Sequence, residues 1–285
     1  MILVFGRTGQ VATELRLFAN VHTLGREQAN LSDPLACAEV IRRHRPRAVI
    51  NAAAYTDVDK AEMEENLATV INGDAPAAMA AACADLGIPL VHISTDYVFD
   101  GIGLTPWSVS DCPNPQNAYG RSKLKGEQEI MASGCTYVIL RTSWIFSAYG
   151  NNFAKTMWRL SKKQETISVV SDQVGGPTFA REVAQTCISI VEQIIRSPDK
   201  SGVYHYSGAP NVSWLTLANN IFQQLGSKTT ASAVSTRQYP ALANRPLNSR
   251  LDCSKTKTVF GVSRPSWRDG LIDVMKDLEL GHDRT

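Results

Sequence analysis

The chain has 285 residues, 44% hydrophobic and 20% charged, with a formal net charge of +2 at pH 7. That is enough apolar material for one well-buried core and a smaller lobe, while near-neutral charge without basic runs excludes a nucleic-acid footprint or a polybasic membrane patch. The six cysteines show no C-x-x-C and the five histidines no ligand spacing, which argues against zinc and a disulfide framework; without a signal peptide or an apolar run of transmembrane length, a cytoplasmic protein is expected.

In chain order, Ile2-Leu3-Val4-Phe5 reads as a buried strand running into Gly6-Arg7-Thr8-Gly9-Gln10-Val11-Ala12 and then a helical Glu14-Leu15-Arg16-Leu17. In such a unit Gly6 takes the tight turn, Gly9 lets backbone N–H groups approach an anion, and Ala12 is small enough for helix to pack on strand. The spacing, G-x-x-G-x-x-A, departs from G-x-G-x-x-G, so a purely structural glycine turn stays open. Val21 to Leu24 reads as a second strand, Pro34 to His44 as a helix, and Ala48 to Asn51 as a third strand leading into Ala52-Ala53-Ala54. An Ala-rich helix follows from about Asn66 to Leu86, then the strand Leu90 to Ser94, in which His92 reads as a hydrogen-bonded core residue rather than a ligand. Strands alternating with helices imply an α/β fold, a doubly wound parallel sheet with ligands at the strands' carboxyl ends. Gly6, Asn51 to Ala54, Ser94-Thr95 and Arg141 to Trp144 fall at those ends, so four segments converge on one cleft.

Further along, Tyr119-Gly120-Arg121-Ser122-Lys123 puts a phenol and an ammonium on one helix face. A nearby positive charge lowers a phenol's pKa from about 10 toward working pH, as a general acid for a carbonyl oxygen requires. The same spacing also occurs on ordinary solvated helices, so the pair gains its meaning from its surroundings.

Those surroundings carry a resemblance. The turn Gly6 to Ala12, the segment Asn51-Ala52-Ala53-Ala54-Tyr55-Thr56-Asp57-Val58-Asp59-Lys60-Ala61-Glu62, Ser94-Thr95-Asp96-Tyr97-Val98-Phe99-Asp100-Gly101, Tyr119 to Lys123 and Arg141-Thr142-Ser143-Trp144 together resemble the extended short-chain dehydrogenase/reductase superfamily. Gly150-Asn151-Asn152-Phe153, Asp172 to Thr178 and Arg245 to Asp252 extend the similarity over nearly the whole chain. Within the superfamily they are most similar to the dTDP-4-dehydrorhamnose reductase group.

The resemblance implies a Rossmann-like domain and hydride transfer from NADPH, with NADH also accepted, to C4 of a dTDP-4-keto-6-deoxy-L-hexose. Tyr119 is then the acid, Lys123 holds the cofactor ribose, and Thr95 donates to the same substrate oxygen. Gly6, Arg7, Thr8, Gly9, Gln10, Val11, Arg26, Ala52, Ala53 and Ala54 would bind the cofactor with Tyr119 and Lys123. Asp96, Tyr97, Trp144, Asn152, Arg245 and Asn248 would join Thr95 and Tyr119 around the sugar nucleotide, Ser249 and Arg250 lying beside them. Asn72 matches a helix asparagine that organises such sites. Each has a plainer alternative: a solvated hydroxyl for Thr95, core filling for Trp144, a surface loop for Arg245 to Arg250, a structural amide for Asn72.

Arg26 follows the second strand where a dinucleotide site usually places an acid on the ribose 2′-hydroxyl, which favours NADPH; Glu27 beside it would oppose a 2′-phosphate. Related reductases also suggest Mg2+ bridging a homodimer, at positions matching Glu14, Glu182 and Asp277, with solvated carboxylates as the alternative. The expected lobes are 1–143 plus 164–206, with further Rossmann strands at 167–170 and 203–206, and 144–163 plus 207–285, with helices near Trp214 to Leu225 and Trp267 to Leu278. Two rival functions remain: a reductase or epimerase of another nucleotide sugar, which would differ only in pocket residues, and a non-catalytic NADP-binding regulatory subunit, which has no need of the acid.

Overall fold

Four consecutive buried apolar side chains make Ile2–Phe5 a strand covered on both faces, and the computed structural model, which describes residues 1–280, places it as β1 inside a six-stranded sheet. The chain then runs through α1 (Gln10–Leu15), β2 (Val21–Leu24), α2 (Pro34–His44), β3 (Ala48–Asn51) and α3 (Val58–Ala61). α4 (Glu65–Thr69) and α5 (Ala75–Leu86) are fused by a π-helical turn, Val70–Asp74, into one helix of 22 residues. It is long and apolar enough to cross a membrane, contrary to the expectation that no run reaches that length, but over half of it lies inside the protein, packed on α2 and on α6 (Ala118–Ala132).

β4 (Leu90–Thr95), β5 (Tyr137–Thr142) and, much later, β10 (Gly202–His205) complete a sheet ordered β10-β5-β4-β3-β1-β2, every pair parallel. The order reverses between β1 and β3, and there the carboxyl ends open a crevice. One face carries α2, α5 and Ile130 of α6 over Leu3, Phe5, Val49 and Leu90; the other carries α1 and α8 (Ala180–Ile194) over Ile2, Val4, Val91 and Leu140.

Between β5 and β10 lie β6 (Ile145–Phe146), α7 (Phe153–Ser161), β7 (Thr166–Val170), β8 (Val174–Gly175) and β9 (Thr178–Phe179). After β10 come β11 (Val212–Ser213), α9 (Trp214–Gln224), β12 (Thr230–Val234), β13 (Asn248–Ser249), α10 (Ser254–Phe260) and α11 (Trp267–Glu279). A separate core gathers Met157, Ile167, Phe179, Leu217, Phe222, Trp267 and Leu271. The strand expected at 167–170 forms, but β7 pairs with β12 outside the main sheet. Alternating apolar residues mark a half-buried strand without naming its partner. The strand expected at 203–206 does join the main sheet, beside β5.

Candidate active site

Gly6 ends β1 at φ 114°, a conformation in which a Cβ would meet Ala12 at 3.2 Å and the Ala52 backbone at 3.3 Å, so glycine is required for β1, α1 and the β3 turn to meet. α1 starts without a side-chain cap, which leaves its first N–H groups to an anion. This turn forms one end of a cleft of about 1060 Å³ lined also by Arg26, Glu27, Ala52 to Ala54, Thr95 to Tyr97, Tyr119, Lys123 and Trp144. Glu27 sits on the exposed rim in an ion pair with Arg7 at 3.3 Å.

At the other end the Asn117 side chain caps α6 by accepting from Gly120 N at 2.7 Å. Gly120 itself lies where a Cβ would strike Tyr97 O at 2.2 Å, so its lack of a side chain brings Tyr119 against the Thr95–Tyr97 segment. The Tyr119 hydroxyl is within hydrogen-bonding reach of Thr95, and its ring packs edge-on against Tyr97 at 5.6 Å. Asn72, in the π-helical turn, exchanges hydrogen bonds with the Tyr55 backbone and donates to Ser122 Oγ at 2.9 Å, bracing α6 against the cofactor-side loop.

One electrostatic expectation changes. Burial pushes the Tyr119 phenol up, a neighbouring Asp96 charge adds to this, and the Thr95 hydrogen bond opposes it. Lys123, expected from the helical spacing to lower it, has Nζ 3.0 Å from His92 Nε2 and 2.8 Å from Ile93 O. Lys123 is 1% exposed, and burial brings it down to about 8 against the opposing charge of Glu127. Asp96 is 2% exposed; burial raises it to about 7 despite hydrogen bonds from Ser249, its own backbone and Thr95, and Oδ2 has no partner.

Trp144 adopts φ 50° and stacks on Trp214 with centroids 3.6 Å apart. Both line the cleft, and Trp214 is a site residue that sequence reasoning takes only as the start of a helix. Three expected substrate residues fall outside the lining. Asn152 caps α7 through Lys155 N at 3.1 Å and donates to Gln10 Oε1, Ser147 O and Tyr149 O, so its amide is spent tying a loop to the phosphate turn. Asn248 is 1% exposed, bonded to Thr105 O and the Arg250 guanidinium. Arg245 pairs with Asp59 at 2.6 Å and hydrogen-bonds Tyr97, which lines the cleft.

Mg2+ does not fit the residues expected to hold it. Arg181 extends from α8 to Glu14 at 3.3 Å, Asp273 at 3.5 Å and Asp277 at 3.8 Å, so a guanidinium already supplies the positive charge a cation would bring. Glu182 is its neighbour on the first turn of that helix. Among the described residues no cluster of three or more His, Cys, Asp or Glu side chains could hold a metal.

The chain is similar to known proteins over nearly its whole length. A curated dTDP-4-dehydrorhamnose reductase of Sinorhizobium fredii is 38% identical over 278 residues, covering 94% of both chains. The solved structure of a dTDP-4-dehydrorhamnose reductase from Clostridium acetobutylicum superposes with TM-score 0.90 at 34% identity, over 98% of this chain and 99% of that one. That of the Bacillus anthracis dTDP-4-dehydrorhamnose reductase in complex with NADP gives 0.89 at 35%, over 97% and 98%. The model of the family described as the RmlD substrate binding domain matches residues 1–280, and with near-complete cover by relatives above 30% identity the chain belongs to that family.

Proposed function

We propose that the chain reduces the C4 ketone of dTDP-4-dehydro-6-deoxy-L-mannose to dTDP-L-rhamnose at the expense of NADPH. The observation that carries the reading is the pairing of Thr95 with Tyr119 at one end of a cleft whose other end is the Gly6 turn, in a chain 38% identical to a dTDP-4-dehydrorhamnose reductase.

The Gly6 to Val11 turn, Arg26, Ala52 to Ala54 and Lys123 would hold the cofactor, which supplies the hydride when bound. Tyr119 and Thr95 then bring two O–H groups to the ketone oxygen, where negative charge develops, and Tyr119 gives its proton to that oxygen. Because burial keeps the phenol protonated at rest, the proton is present before the alkoxide forms. Asp96 Oδ2, unpartnered and on the cleft wall, takes a sugar hydroxyl, and Trp144, backed by Trp214, gives the pyranose a flat apolar wall. The lobe expected at 144–163 and 207–285, of which 281–285 lie outside the described residues, is joined by β7 through its pairing with β12 and brings Trp144, Asn151 and Trp214 to the cleft.

Arg26→Ala weakens NADPH binding by about 10- to 100-fold and leaves NADH nearly unchanged, the scale of an Arg–phosphate contact. Fluorescence titration with both cofactors checks this, and equal losses would show that Arg26 does not read the 2′-phosphate. The reaction itself is tested by following NADPH oxidation with a panel of keto-sugar nucleotides. The dTDP-L-sugar should be the best substrate; a preference for another base or sugar would move the chain to a neighbouring specificity, and oxidation of none would leave a binding protein.

A further inference from the structure

His92 on β4 lies fully buried under the cleft floor between two polar partners on neighbouring elements. Asn51 Nδ2 on β3 is 3.1 Å from His92 Nδ1, and Lys123 Nζ on α6 is 3.0 Å from Nε2. The Asn51 amide is oriented by the turn that follows it, since its Oδ1 accepts from Ala53 N at 3.2 Å. An amide nitrogen only donates, so Nδ1 is bare and the one hydrogen of the neutral imidazole is on Nε2. That N–H points at Lys123, and it makes a hydrogen bond only when the lysine offers a lone pair. An ammonium would set N–H against N–H.

We infer that His92 is a positioning residue which, oriented by Asn51 and the Ala53 backbone, favours the neutral amine of Lys123 and so sets the pH at which that lysine takes up its proton. The cofactor turn and the lysine of the catalytic helix are thereby linked through one imidazole. The inference rests on the reductase reading, in which Lys123 faces the cofactor.

The surroundings agree. Burial holds His92 well below the usual histidine range, and a proton on Lys123 would only lower it further, so the ring stays neutral and a single tautomer matters. Lys123 is itself lowered by burial. Glu127, one turn along α6, favours the ammonium, but its carboxylate is committed to Arg141 at 2.6 Å and to Ser94 at 2.5 Å. From the other elements packed on this face, Cys83 and Cys135 are buried thiols pushed up by burial and carry no charge.

His92→Gln offers Lys123 a carbonyl oxygen, a partner for the ammonium. The break in NADPH affinity against pH that reports Lys123 should then rise by about one pH unit, the scale of a hydrogen bond to a charged group. A break that stays put or falls would overturn the inference, since a packing role moves melting temperature without moving the break. The second measurement is 15N NMR of the histidine-labelled wild-type chain, which needs neither turnover nor a variant. Hydrogen on Nε2 of His92 at neutral pH is expected; hydrogen on Nδ1, or an imidazolium, overturns it. Both readouts stand apart from reduction of any keto sugar, so failure of the proposed reaction would leave this result separately legible.

Discussion

Tyr119→Phe should lower turnover by about 10²-fold or more, the usual worth of a general acid, while NADPH affinity stays within about twofold of the parent. Phenylalanine keeps the ring that packs edge-on against Tyr97 and removes only the hydroxyl that meets Thr95, so fold and cofactor turn are untouched. The loss should fall on kcat, because the proton is needed once charge appears on the ketone oxygen and not in the ground state. Steady-state rates with the dTDP-keto sugar, beside a cofactor titration, separate the two effects. Turnover within a few-fold of wild type would remove Tyr119 from the acid role.

Asp96→Asn should stabilise the cofactor-free protein at alkaline pH and change little below about pH 4. Burial raises the folded carboxyl to about 7 from an ordinary 3.8. Between those values the folded state holds a proton that the unfolded state has released, so the group's contribution to stability is full below about 4 and falls as pH rises through about 7. Three pH units correspond to about 4 kcal/mol, an upper bound because the surrounding dipoles relax when the buried carboxyl ionises. Urea unfolding of both proteins across this range checks it, with other titrations cancelling in the difference. A difference independent of pH would show that Asp96 titrates normally. The same variant should bind the sugar nucleotide more weakly, for an amide cannot replace the carboxyl in both protonation states.

Strand β1, the Gly6 turn and the parallel sheet were legible because each is written in local pattern: four buried apolar residues, a glycine that must take positive φ, and strands alternating with helices. The convergence of Gly6, Ala52, Thr95 and Trp144 on one cleft follows from parallel strands alone. What stayed hidden depends on where long side chains end. Helical spacing places Lys123 on the face of Tyr119, but only the fold shows Nζ reaching back to His92 on β4. Asn152 reads as a ligand contact in a motif and proves to be a helix cap, because capping depends on backbone geometry that the motif does not spell out. The resemblance makes Glu14 and Asp277 metal ligands, yet both pair with Arg181, a contact that no motif spells out. β7 has the pattern of a sheet strand and pairs in another sheet, since register partners at a distance of more than sixty residues leave no local trace.

Deuterium transfer tests the account most directly. With NADPH carrying deuterium at the transferring position of C4 of the nicotinamide, the enzyme should convert dTDP-4-dehydro-6-deoxy-L-mannose to dTDP-L-rhamnose bearing one deuterium, located on C4 of the hexose by NMR. An unlabelled product, label on another sugar carbon, or no product with wild-type chain that binds NADPH would contradict it.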